Sequence, residues 1–260
     1  MFRTIPILAL ILAAPASIEA QGNGGPPSWL VNKTDLIGPG DLPTHLGFTL
    51  NRSGGRMVSA DKAQIAVSGT VTDAQGSRPA QFSIQSPGYM IFRDGSSRGV
   101  GFDGNGLKAT GGPLTANDHA IAESLLAHFP DMICLQVAAG GGYRRIGSHF
   151  RPDGGTTPAY KGPYWTLLAF SPRTRPGLAS GKALQQDMII ALDEQTGFIA
   201  EIRVVLGGSV TQTQFSNWTQ KGDQWYPASI VRLEAGKQVL RFDVQAATVG
   251  AAGPVSAFIP

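Results

Sequence analysis

A single cysteine, four histidines and a charged fraction of only 15% limit what this 260-residue chain can be. With Cys134 alone, no intramolecular disulfide can form, and its apolar setting in Met132-Ile133-Cys134-Leu135 reads as a buried, unreactive thiol. His45, His119, His128 and His149 stand far apart and fit no metal-ligand spacing. A spacing of nine positions puts His119 and His128 on roughly opposite faces of a helix, as solvated side chains. A formal charge of +3, scattered singly, offers no footprint for nucleic acid. No nucleophile elbow, phosphate-binding loop or dinucleotide fingerprint occurs, so neither an enzyme nor a cofactor is expected. Gly99-x-Gly101 and Gly104-x-Gly106 read as hairpin glycines. Asp94 and Asp103, each close to a glycine, read as turn residues rather than a glycosidase pair. Trp165, Trp218, Trp225 and Tyr226 could stack on a sugar, but packing explains them more simply.

Long apolar runs are missing too. The longest opens the chain: Arg3 supplies a positive start, residues 5–14 are apolar, and Pro15 precedes small residues. That order reads as a cleavable signal peptide, residues 1–20, cut after Ala16 or, by preference, after Ala20. It is too short to span a bilayer, and nothing later approaches a span. No cysteine follows it to carry a lipid. The mature chain is therefore expected to be periplasmic or secreted.

Residues 21–60 read as a flexible leader, Gln21 to Pro27, and an irregular extension with one short strand at 45–50. From Gln64 the pattern becomes regular. Ile65, Val67, Gly69 and Val71 alternate with polar residues, Phe82 and Ile84 do the same, and tight turns follow at Asp73 to Gly76, Asp94-Gly95 and Asp103-Gly104. A helix capped by Asn117 carries Ala120, Ile121, Leu125 and Leu126 until Pro130 stops it, and a second short helix covers 131–137. Seven further strands are expected near 143–150, 164–170, 187–192, 198–205, 210–218, 228–234 and 239–247. The fold class is mainly β: a large curved antiparallel sheet, or incomplete barrel, with a short helical lid between two strand blocks.

Phe198, Ala200, Ile202 and Val204 share one face of a strand, as do Leu240, Phe242, Val244 and Ala246. Ten or so such strands make a broad apolar concavity that two short helices cover in part. By alternation alone its lining is Ile65, Val67, Phe82, Ile84, Phe198, Ile202, Phe242 and Val244.

The order of these elements over about residues 60–260 resembles the superfamily of the lipoprotein carrier LolA, the receptor LolB and the sensor-binding protein RseB. The matching pieces are the strand 65–71, Phe82 to Arg93 with its central Ser86-Pro87-Gly88, Phe102-Asp103-Gly104, and the apolar helices ending in proline. Met188-Ile189-Ile190-Ala191-Leu192-Asp193 before Thr196-Gly197, Phe215-Ser216-Asn217-Trp218, Tyr226-Pro227 and Phe258-Ile259-Pro260 follow. The resemblance implies an incomplete barrel over an apolar cavity and a lipid or lipoprotein acyl chain as ligand. Arg93 stands nearest to the family's basic residue after the Pro-Gly strand. A filled cavity would instead imply an interaction or sensor module with an envelope protein partner.

Overall fold

The computed structural model describes residues 63–85, 88–95, 98–103, 106–138, 142–152, 160–171, 188–206, 209–221 and 224–260. The signal segment 1–20, the extension 21–60 with its strand at 45–50, and Gly140-Gly141 lie outside them. Twelve strands follow in chain order: β1 Ala63–Asp73, β2 Gly76–Gln85, β3 Tyr89–Asp94, β4 Gly99–Phe102, β5 Leu107–Ala109 and β6 Gly142–Phe150. Then come β7 Trp165–Ser171, β8 Met188–Asp193, β9 Ile199–Leu206, β10 Ser209–Lys221, β11 Gln224–Glu234 and β12 Lys237–Ala251. Their hydrogen-bonded order is β5-β4-β3-β2-β1-β12-β11-β10-β9-β8-β7-β6. Consecutive strands thus lie side by side, except β5 and β6, and the last strand zips onto the first. The two strand blocks are one antiparallel sheet, open between edges β5 and β6. The chain that joins those edges carries the helices.

Residues paired directly across antiparallel strands share a face, so the register identifies the inner one. Val67 faces Phe82, Phe82 faces Phe92, Val71 faces Phe242, Phe242 faces Ile230, and Ile230 faces Phe215. All are buried in one cluster. Register shifts redirect the simple alternation, two of them between β6 and β7 and three in the strands that shape the core. At the β1–β12 seam the pairs Ser68–Ala246 and Gly69–Val244 leave Gln245 extra, so Ala247 and Val249, rather than Ala246, take the inner positions beyond it. Gly69 is required there: a Cβ would lie 2.1 Å from the Asp243 carbonyl oxygen. In β9, Ala200 is the extra residue and Ile199 continues the inner face in place of Phe198. In β12, Val239 is extra, which sets Leu240 opposite Arg232.

The first helix, α1, spans Ala116–Ile121 and is capped by Thr115 rather than Asn117. Thr115 Oγ1 accepts from the Asp118 amide, and the Asp118 carboxylate accepts from the Thr115 amide at 2.7 Å, a reciprocal capping box. Asn117 instead donates to Asp73 at 2.9 Å, tying the helix to the end of β1, while Arg98 on the neighbouring loop pairs with Asp118. The helix continues as a π-helical turn, Ala122–Ala127. Pro130 does not end a helix but begins the next, α2, Pro130–Ala138, where its missing N–H and fixed φ are tolerated.

Beyond β12 the chain forms a 3-10 turn, Val255–Phe258, against the outer face of β3 and β4. Gln85 clamps Gly253 through its amide oxygen (2.7 Å) and nitrogen (3.1 Å), and Arg93 donates to the Ala257 carbonyl at 3.0 Å. Gly99 and Gly101 pair with Arg93 and Ile91 on this face. They are hairpin glycines, as expected, and also seat the C-terminal segment, since a Cβ on Gly101 would lie 2.6 Å from the Phe258 carbonyl oxygen. Asp94 and Asp103 also accept from Arg78 and Lys108, each at 2.6 Å.

Candidate functional site

The inner face of the sheet meets the helices in one apolar cluster. Of the eight residues expected to line it, Ile65, Val67, Phe82, Ile84, Ile202 and Phe242 are fully buried there, and Val244 packs against it part-buried. Phe198 is elsewhere: it is buried because its ring stacks on Trp218 (4.4 Å, 7° between planes) and leans on Trp225 (5.1 Å), so Trp218 offers one ring face to packing. From the helical side the cluster receives Ile121, Leu125, Leu126, Phe129, Met132 and Ile133. Phe82 is the pivot, with its ring edge-on to Phe129 of the helical segment and to Phe242 of the sheet, both at 5.3 Å.

A polar patch interrupts this apolar contact. Arg232 of β11 pairs across the sheet with Thr213 of β10 and Leu240 of β12, so it points inward and is 4% exposed. Its guanidinium meets Glu123 Oε2 at 3.0 Å and Ser124 Oγ at 3.2 Å, both on the π-helical turn, and Glu234 Oε1 at 2.8 Å on its own strand. Thr213 Oγ1 donates to Ser124 Oγ at 3.4 Å and lies 2.9 Å from His128 Nδ1. Contrary to the expectation of a solvated side chain, His128 is 4% exposed, and burial, followed by the nearby Arg232 charge, lowers its pKa to about 4 against the opposing pull of Glu123. It is neutral at pH 7.

No protein-family model matches the sequence, and no curated protein matches it. Among solved structures, a LolA superfamily protein from Nitrosomonas europaea superposes with a TM-score of 0.50, covering 82% of this chain and 96% of that one at 11% identity. The chain has a LolA-like fold. Weaker likenesses are to a proposed outer membrane lipoprotein-sorting protein domain from Vibrio parahaemolyticus (TM-score 0.44, 9% identity, 82% and 94% covered). A DUF1329 family protein from Desulfovibrio piger follows (TM-score 0.43, 8% identity, 82% and 96% covered).

Within this LolA-like sheet, Arg93 lies on the outer face against the C-terminal segment and does not reach the helices. The side chain that does is Arg232, which sequence reasoning passed over because Val231 and Leu233 flank it and leave no clear polar face. A faint signal was available in Thr211, Thr213 and Arg232, whose positions fall on the inner face once Ile202 and Ile230 are placed there. Among the described residues no three His, Cys, Asp or Glu side chains are grouped to hold a metal ion, and no helix is long and apolar enough to cross a membrane.

Proposed function

We propose that this chain is an exported, periplasmic binding or carrier protein for an apolar ligand, a lipid or lipoprotein acyl chain. The ligand occupies the inner face of the sheet in place of the helical side chains. The observation that carries this reading is the convergence of Ile65, Val67, Phe82, Ile84, Ile202 and Phe242 on one patch whose cover is a short helical segment rather than a second sheet. Apolar burial contributes roughly 25 cal/mol per Å² whichever apolar group does the covering. An acyl chain that replaces Leu125, Leu126 and Phe129 against the sheet therefore restores most of what lifting them exposes. The open edges β5 and β6 let the concavity widen without breaking a strand pair. The test is titration of delipidated full-length protein with the neutral fluorophore N-phenyl-1-naphthylamine. One saturable site, emptied by competing acyl chains, is expected.

A second reading has one observation in its favour. Phe129 packs directly on Phe82, and the helical and sheet residues bury one another fully. A protein whose core stays filled this way would be an interaction or sensor module acting on an envelope partner. Absence of any saturable fluorophore site decides for it.

A further inference from the structure

The carrier reading leaves Arg232 to be explained. A guanidinium facing the apolar side of a sheet needs a partner at all times, because an unpaired charge there is costly. Glu234, its partner on the same strand, is 46% exposed and marks the rim. Its two other partners, Glu123 and Ser124, belong to the helical segment. If that segment lifts to admit a ligand, Arg232 loses them both and keeps only the rim contact. Whatever enters must then supply an acceptor at this spot and apolar surface next to it. Directly beside Arg232 on the inner face are Thr213 and Leu240; the next inward layer is Ile230 with Phe215 and Phe242, and Phe242 leads on to Phe82.

We propose, resting on the carrier reading, that the ligand is an anionic amphiphile whose terminal carboxylate takes the place of the Glu123 carboxylate on Arg232. Its hydrocarbon chain runs from the rim over Ile230 and Phe242 towards Phe82. The exchange is like for like: one carboxylate leaves the guanidinium with the helical segment and another arrives with the ligand, so the local charge is unchanged. Arg232 presents a planar fork of donors that matches a carboxylate, and charge-assisted bonds of this kind are the strong ones. An uncharged head, such as an alcohol or an ester, leaves the guanidinium under-paired and binds less tightly.

The experiment is displacement of N-phenyl-1-naphthylamine from delipidated full-length protein by dodecanoate and by dodecan-1-ol. The two share a chain length and differ in the charge of the head. In the natural sequence dodecanoate displaces the probe at a concentration at least about tenfold lower than the alcohol. Arg232→Gln brings the two together by weakening dodecanoate alone. Glu123→Gln, which removes the competing carboxylate from the helical segment, widens the gap by strengthening dodecanoate, a direction that a merely structural Glu123 does not produce. Equal displacement by acid and alcohol, with the probe bound, overturns the head-group assignment and leaves the carrier reading standing. A probe that never binds overturns both. Should Arg232→Gln fail to fold, the acid-to-alcohol ratio in the natural sequence and its change in Glu123→Gln still decide.

Discussion

Acidification from pH 7 to pH 4 should weaken the contact between helices and sheet through one side chain, His128. Folded, its pKa is lowered from 6.5 to about 4, chiefly by burial beside Thr213. The unfolded chain therefore takes up a proton on this imidazole as pH falls through 6.5, while the folded chain resists until about 4. The neutral ring's stability is complete above pH 6.5 and is lost progressively down to pH 4, below which both states are protonated. At 1.36 kcal/mol per unit, the gap corresponds to about 3 kcal/mol. The assay is urea unfolding at half-unit pH steps for the natural sequence and for His128→Gln, which keeps a polar group beside Thr213 but cannot titrate. Carboxylates such as Asp118 also change with pH. Burial alone would raise its pKa, but Arg98 and the amide and hydroxyl of Thr115 outweigh that and hold it below the usual range. Its stability is lost only as pH falls below about 4, and it cancels in the comparison. The natural sequence should lose about 3 kcal/mol more than the variant between pH 7 and pH 4. Parallel pH profiles would refute a neutral, buried His128.

Three substitutions test the frame around the site. Gly69→Ala places a Cβ against the Asp243 carbonyl and the Phe242 ring at the β1–β12 seam and should cost about 3 kcal/mol in urea unfolding; a cost under about 1 would contradict the bulge register. Gly101→Ala pushes on the Phe258 carbonyl and should lift the C-terminal segment, seen as faster amide exchange over residues 253–260 with strand protection unchanged. Thr115→Ala removes the hydroxyl half of the capping box and should cost about 1 kcal/mol, while Thr115→Ser should recover most of it.

Strand positions were legible because a half-buried sheet writes period-two alternation into the chain: Ile65 to Val71, Ile202 and Val204, and Leu240 to Val244 all fell on the inner face as expected. The alternation failed where a bulge inserts one residue. Such an insertion flips every side chain beyond it while leaving the sequence pattern plausible, as at Ala200, Val239 and Gln245. Phe198 was misplaced for that reason. His128 and Arg232 were missed on different grounds. Each is polar by type and buried by long-range pairing between the π-helical turn and β10–β11, contacts 85 and more residues apart that local spacing does not encode. Asn117 reads as the cap because it precedes the apolar run, whereas the cap is Thr115, identified by its reciprocal partner Asp118 three positions on.

The most direct test of an apolar ligand between helices and sheet is native mass spectrometry of the full-length protein purified under non-denaturing conditions from the envelope of an exporting host. A carrier gives a one-to-one adduct in the mass range of a fatty acid or lipid, and solvent extraction removes it and recovers acyl chains. A spectrum showing only the mass of the polypeptide, with no acyl chains in the extract, contradicts carriage and leaves the filled-core interaction module.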